Sequence, residues 1–363
     1  MAYRISSAQT TGLIGQPVDV EVDLAPGLFR FSIVGLPDKA VEESRDRVGA
    51  AIAHSKLVPP HKKHSRVTIN LAPADIKKEG PMFDVPIALA YLLASKQVRF
   101  DPARRWFVGE LALDGSVRPG KGMIVLAQAA KRAGITELYV PIGNSVEAAM
   151  IPGIAVFGFH TLGELIDHLD GRRLLAATPS VPFSADSSAP SVDFGDIKGQ
   201  LSARRAAEIA AAGRHHLALS GPPGTGKTMI ARAISGIMPP LTFAEALEVT
   251  AIHSVAGRAR EHIATDGILR SRPFRSPHHT TSHAAIVGGG ATPKPGELTL
   301  AHHGILFLDE FPEFSTTAIE ALREPLEERM VTVARVKATN TFPAHILLVA
   351  AMNLCPCGRT GSH

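Results

Sequence analysis

Residues Gly221-Pro-Pro-Gly-Thr-Gly-Lys-Thr228 are followed, well downstream, by Ile305-Leu-Phe-Leu-Asp-Glu310. The first string satisfies G-x-x-x-x-G-K-[ST], a loop whose backbone N–H groups cradle phosphates ahead of a helix. Gly221, Pro222, Pro223, Gly224, Thr225, Gly226, Lys227 and Thr228 are therefore the candidate nucleotide-binding residues. Lys227 is expected to reach the β/γ-phosphates and Thr228 to ligate Mg²⁺. The second string is an apolar run ending in two acids. It reads as a buried strand that brings Asp309 to the metal and Glu310 to an attacking water. A glycine-rich turn or a core strand with solvated acids is each ordinary alone; the pair points to a site for ATP with Mg²⁺.

The rest of the composition is that of a globular protein. Hydrophobic residues make up 45% and charged residues 20% of 363 positions, enough chain for two domains with separate cores. No basic start leads into an apolar h-region, and the longest apolar stretch, Val85 to Ala94, contains Pro86 and is too short for a bilayer. The expectation is a cytoplasmic protein without a membrane partner. The two cysteines, Cys355 and Cys357, exclude a disulfide framework. A net charge of +4 permits a nucleic-acid partner without requiring one.

Residues 175–191, rich in Ser, Ala and Pro, read as a linker between a domain at 1–174 and a second at 192–363. In the first, strands are expected at Val18 to Leu24, Leu28 to Val34 and Arg66 to Leu71. One helix is expected over Lys39 to His54 and a buried one over Val85 to Leu93. Asp114-Gly115 signals a hairpin between Trp106–Leu113 and Val117. Helices at Met123–Arg132, Val146–Ile151 and Leu162–Leu169 alternate with strands at Leu138–Val140 and Ile154–Phe157, an α+β pattern with βαβ elements. In the second domain, strands at His216–Ser220, Ile305–Leu308 and Ile346–Ala350 alternate with helices at Ser202–Ala212, Met229–Met238, Phe243–Val255 and Thr316–Glu328. The fold class expected is α/β, with a parallel sheet and the nucleotide at the strand C-terminal ends.

Longer strings are more specific. Asp193-Phe-Gly-Asp-Ile-Lys-Gly-Gln200, Arg272-Pro-Phe-Arg-Ser-Pro-His-His279, Pro295-Gly-Glu-Leu-Thr-Leu300 and Ala351-Met-Asn-Leu-Cys-Pro-Cys-Gly358 resemble the magnesium-chelatase-like AAA+ ATPases of the YifB/ComM family. The resemblance runs from about Tyr3 to Cys357. It implies an ATP-hydrolysing, hexameric ring protein that works as a DNA motor in branch migration during natural transformation. Asn353 is then sensor 1, joining Glu310 and Lys227 as catalytic residues; an amide can orient water without competing as a base. Gly288 to Gly296 resembles a pore-directed insert, with Arg270, Arg272, Arg275 and Lys294 as candidate DNA contacts; a solvated loop facing a neighbouring subunit reads equally well. The chain stops at His363, before the family's arginine finger and helical lid. The resemblance therefore implies a truncated member, and neither Arg323 nor Arg329 is assigned as the finger.

Asn70-Leu-Ala-Pro-Ala-Asp75, Gly80-Pro81 and Gly109-Glu-Leu-Ala-Leu-Asp-Gly115 resemble the Lon-protease C-terminal domain, with its ribosomal-S5-like fold. Met82 and Ile124 stand where that family has its serine and lysine, and Lys121 has no serine partner, so no peptidase is expected. His278, His279, His283, His302 and His303 lack a coherent ligand spacing, and Cys355 with Cys357 falls short of the four ligands of a structural zinc. Other readings are the motor subunit of a metal chelatase, which would lack the N-terminal domain, and an ATP-binding fragment with little turnover.

Overall fold

The computed structural model describes residues 3–184, 192–258, 263, 265–289, 294–335 and 338–353. The chain is mixed α/β and divides into two compact units, Met1–Pro182 with Gly257–Ile268, and Phe183–Ala256 with Leu269–His363.

The first unit is built on a seven-stranded sheet. Its strands are β1 (Tyr3–Thr11), β2 (Ile14–Pro26), β3 (Arg30–Val34), β4 (Ser65–Ala72), β5 (Arg105–Phe107), β8 (Glu137–Pro141) and β9 (Ala155–Phe159), in the order β3-β4-β2-β1-β5-β8-β9. Between β5 and β8 a short hairpin pairs β6 (Glu110–Leu111) with β7 (Val117–Arg118). The hairpin turns at Asp114-Gly115, with Gly115 at φ 82°. Trp106 to Leu113 is thus two strands with different partners, since β5 lies parallel to β1 and β8. β1 escapes a periodicity reading because its inward face carries Ser7 and Gln9, both buried. The Ser7 hydroxyl spends its donor on the Phe107 carbonyl at 2.8 Å, so a polar side chain sits there without loss.

Helix α1 (Lys39–Glu42) is capped by Asp38, whose carboxylate accepts from Val41 N at 2.9 Å. The single helix expected over 39–54 is broken at Glu43, where the Asp46 amide bonds back three residues to Glu43 O, and α2 (Ser44–His54) follows. Helix α3 (Asp84–Ala94) is buried from Asp84 to Leu93 and packs on β1 and β2. Its one carboxylate, Asp84, is fully enclosed and accepts from Arg47 Nε (2.6 Å), Arg47 Nη2 (2.9 Å), Ser44 Oγ (2.5 Å) and Leu111 N (3.0 Å). Four donors compensate the desolvation of that group. Helices α4 (Met123–Arg132), α5 (Ile142–Ala149) and α6 (Leu162–Leu169) complete the unit.

In the second unit a four-stranded, all-parallel sheet has the order β10-β17-β14-β11. The strands are β10 (Leu217–Ser220), β11 (Phe274–Arg275), β14 (Ile305–Leu308) and β17 (Leu347–Met352). Two small hairpins lie between them in sequence: β12 (Gly288–Gly289) with β13 (Lys294–Pro295), and β15 (Met330–Arg335) with β16 (Ala338–Pro343). Helices α7 (Leu201–Gly213) and α8 (Lys227–Ile237) pack on the sheet, and α9 (Phe243–Ala256) follows. Ala207, Ile230, Ala233 and Ile234 pack with Ile305, Phe307, Leu347 and Val349 in one core. The helix expected over 316–328 is two pieces, Thr316–Glu320 and Arg323–Glu328. Pro325 explains the break: it lacks an N–H, and its ring conflicts with the carbonyl four residues back, at Ala321.

Helix α9 opens with a reciprocal cap: Thr242 N donates to Glu245 Oε2 (3.0 Å) and Glu245 N to Thr242 Oγ1 (3.3 Å). Glu245 also takes the guanidinium groups of Arg214 and Arg272. Burial works against its charge, but the Thr242 amide and the two arginines hold it down at about 2. One turn on, Glu248 Oε2 accepts from His302 Nε2 (3.0 Å) and His303 Nε2 (2.9 Å). The His302 Nδ1 accepts the His345 amide at 3.1 Å, so the ring is neutral with its proton on Nε2. Burial, with the neighbouring His303 and His345, pushes His302 down from 6.5 to about 4 against the pull of Glu248.

Because His302 binds fewer protons folded than unfolded between those values, its contribution to stability is complete above 6.5 and falls as pH drops toward 4. The urea midpoint of the wild type should therefore decline over this window. His302→Gln, which keeps a donor toward Glu248, should flatten that decline, and an equal slope in both proteins would refute the assignment.

Candidate functional site

Three parallel strands end side by side and deliver the site. β10 runs into the loop 221–226, β14 into Asp309 and Glu310, and β17 into Asn353. Gly224 (φ 82°) and Gly226 (φ 87°) lie in the left-handed region, which a side chain would strain. No described residue comes within 4 Å of where their Cβ atoms would stand, so the loop is uncrowded at both positions.

Lys227, the first residue of α8, donates through Nζ to Gly221 O (2.7 Å), Pro222 O (3.0 Å) and Asn353 Oδ1 (3.1 Å). An ammonium has three donors, and all three are directed at the loop and at the end of β17. The Thr228 hydroxyl donates to Asp309 Oδ2 at 3.0 Å. A hydroxyl and a carboxylate in contact are the oxygen donors a hard divalent cation takes. Lys227, Thr228, Asp309 and Asn353, distant in sequence, are thus one cluster. The open loop, the ammonium and the paired oxygens fit a nucleotide triphosphate with Mg²⁺.

Glu310 takes a backbone conformation rare for a glutamate, φ 51°. Its amide donates to Asp309 Oδ1 at 3.0 Å, and its half-exposed carboxylate is 2.9 Å from His279 Nδ1. His279 belongs to the loop after β11, the strand beside β14. Read from the sequence, it is one of several loop histidines; the adjacency of β11 and β14 makes it the neighbour of Glu310.

The candidate DNA contacts divide. Arg272 is a correction: its side chain is 4% exposed. It donates to Pro239 O (2.6 Å), His303 O (2.6 Å) and Pro240 O (3.2 Å), tying the end of α8 to the loop before β14. Enclosed in this way, Arg272 has no guanidinium to offer a phosphodiester. Arg275 is forked through Nε and Nη2 onto Glu297 at 2.6 and 2.8 Å, with its side chain 26% exposed. Arg270 donates to Ser184 O and Oγ, and Lys294 is exposed at the start of β13. Gly290 and its neighbours through 293, like Cys355 and Cys357, lie outside the described residues.

Glu248, His302 and His303 bring their ligand atoms within 4.8 Å of one another. The tautomers decide against a metal there. His302 Nδ1 accepts a backbone N–H, and His303 Nδ1 faces Arg214 Nη1 at 3.3 Å. Arginine can only donate, so both rings carry their proton on Nε2 and present N–H, not a lone pair, to Glu248.

In the first unit, Gly120 lies against Met82, whose Sδ is 2.6 Å from where a Gly120 Cβ would stand. Ile124 is buried in the first turn of α4, with its amide on Glu147 Oε1 at 3.0 Å. A thioether and an alkyl chain supply neither nucleophile nor base. No helix among the described residues is long and apolar enough to cross a membrane.

Comparison with known proteins agrees with this architecture. The family model "Magnesium chelatase, subunit ChlI" matches residues 193–363, and "Subunit ChlI of Mg-chelatase" matches residues 20–144. The YifB protein of Escherichia coli is 44% identical over 354 residues, which cover 97% of this chain and 68% of YifB. The competence protein ComM of Haemophilus influenzae is 42% identical over 364 residues, 99% of this chain and 70% of ComM. Lon protease 2 of Bacillus subtilis is 30% identical over 183 residues, 48% of this chain and 32% of that protein. A P-loop on an all-parallel sheet, with identity to YifB and ComM along nearly its whole length, makes this chain a member of the YifB/ComM family of magnesium-chelatase-like AAA+ proteins.

Proposed function

We propose that this chain binds ATP with Mg²⁺ and hydrolyses it, and that it works in a hexameric ring as a DNA motor. The observation that carries the first part is the convergence of Thr228 on Asp309 at 3.0 Å and of Lys227 on Asn353 at 3.1 Å, from three separate strands. Thr228 and Asp309 would hold Mg²⁺, which supplies charge neutralisation on the phosphates. Lys227 gives its donors to the β/γ-phosphate oxygens, and the open amides of 224–226 take the remaining charge. Asn353 orients the attacking water and Glu310 accepts its proton, with His279 holding the Glu310 carboxylate on the solvent side of the site.

DNA as the track rests on the family and on the competence protein among the relatives. With Arg272 engaged inside the fold, the grip from this segment falls to Lys294 on the β12–β13 hairpin, with Arg270 and Arg275 partly exposed beside it in sequence. The two ChlI family models favour a second reading, an ATPase that remodels a partner protein, as a chelatase motor subunit does.

Lys227→Ala should weaken nucleotide binding at least tenfold, because charge-assisted hydrogen bonds of about 1.5–3 kcal/mol each are lost. Glu310→Gln should bind ATP like the wild type while turnover falls by about 10²–10⁴. Fluorescent-nucleotide titration and phosphate release measure the two, and wild-type turnover by Glu310→Gln would remove Glu310 as the base.

If the hairpin touches DNA, Lys294→Gln should lower the salt dependence of DNA affinity by about one phosphate contact, leaving ATP affinity unchanged. Arg272→Gln should instead lower the unfolding midpoint. No DNA binding by the wild type, with ATPase stimulated by a protein partner, would favour the second reading.

A further inference from the structure

Below the sheet, at the end away from the nucleotide loop, lies a cavity of about 70 Å³. It is lined by Arg214, His216, Arg329 and His345 together with apolar side chains, and by no carboxylate. His216 precedes β10 and His345 precedes β17, whereas the P-loop and Asn353 follow those strands. The four residues of β10 separate the two ends by about 13 Å at ~3.3 Å per residue. The cavity is therefore not part of the nucleotide site.

Its chemistry follows from the hydrogen bonds around it. The Leu348 amide donates to His216 Nδ1 at 3.1 Å, and Arg214 Nη1 stands 3.4 Å from His345 Nδ1. Amide and guanidinium groups can only donate, so both Nδ1 atoms accept and both neutral rings carry their proton on Nε2. Neither Nε2, nor the Arg329 guanidinium, has a hydrogen-bond partner among the described residues. Arg214 has its carboxylate, Glu245, to one side. Burial pushes both His216 and His345 down, and the Arg329 charge adds to it in each case, a repulsion that an anion would relieve.

We propose that this cavity is a binding site for a free tetrahedral oxyanion of the phosphate class, held by the Arg329 guanidinium and the Nε2–H groups of His216 and His345. A cavity of this size holds a few waters or one small ion. The positive lining selects an anion, and donors from three chain segments suit several oxygens at once rather than a single carbonyl.

The test uses the whole chain with its P-loop saturated by ADP and Mg²⁺, titrated with inorganic phosphate and, separately, with acetate. Imidazole resonances of His216 and His345 are followed by NMR, and affinity by calorimetry. Phosphate should shift both rings, and Arg329→Gln should weaken phosphate at least tenfold while ADP affinity stays the same. Arg329 is exposed, so this variant should fold; His345→Leu, which has no donor to place in the cavity, should weaken phosphate too. Phosphate affinity unchanged in both variants, rings that do not respond to phosphate, or acetate binding as tightly as phosphate would each overturn the proposal.

Discussion

Parallel strands that share a sheet start at one edge and finish at the other, and this chain depends on that constraint. β10, β17 and β14 are neighbours, so whatever follows each of them arrives at the same rim. Loop amides and an ammonium follow the first, an amide side chain the second, and two carboxylates the third. Thr228 and Asp309 touch because of strand order, not because of sequence distance. Parallel sheets put polar chemistry at their C-terminal rim in this way, since the strand interiors are buried on both faces and accept only apolar residues. Ile305 to Leu308, buried throughout, meets that demand.

Beneath the rim, a second network holds the strands in position. Glu245 takes Arg214 from the end of α7 and Arg272 from the loop before β11. Arg272 also reaches the carbonyls at the end of α8, and Glu248 gathers His302 and His303 just ahead of β14. A buried guanidinium is tolerable here because each of its donors finds a carbonyl or carboxylate. Arg272 and Arg275 thus serve the sheet that carries the nucleotide loop. Among the described residues, Arg329 and the Nε2 atoms of His216 and His345 are left without acceptors at the opposite end of the same strands.

The first unit has a comparable polar anchor in Asp84, enclosed at the start of α3 and held by Arg47, Ser44 and the Leu111 amide. These contacts join α2, α3 and the β6–β7 hairpin. Elsewhere in this unit Met82 stands against Gly120 and Ile124 lies within the core.

Much of this was legible from the chain alone. The P-loop, the apolar strand ending in Asp309 and Glu310, and the alternation of strands and helices around them are local patterns, set by backbone sterics and by the need to bury apolar faces. β1 was not legible, because its buried Ser7 and Gln9 break the period that marks a strand. The break at Glu43 leaves no mark in the hydrophobic period, whereas Pro325 announces the one at Ala321. Tertiary structure alone decided which cations are free. Arg272 and Lys294 read alike in sequence, but one is walled in by carbonyls brought from α8 and the loop before β14, and the other faces solvent. It alone placed His279 beside Glu310 and set the tautomers of His302 and His303, for the same physical reason. A side chain's partners are fixed by which strands lie side by side, and that order is a property of the folded sheet, not of any local stretch of residues.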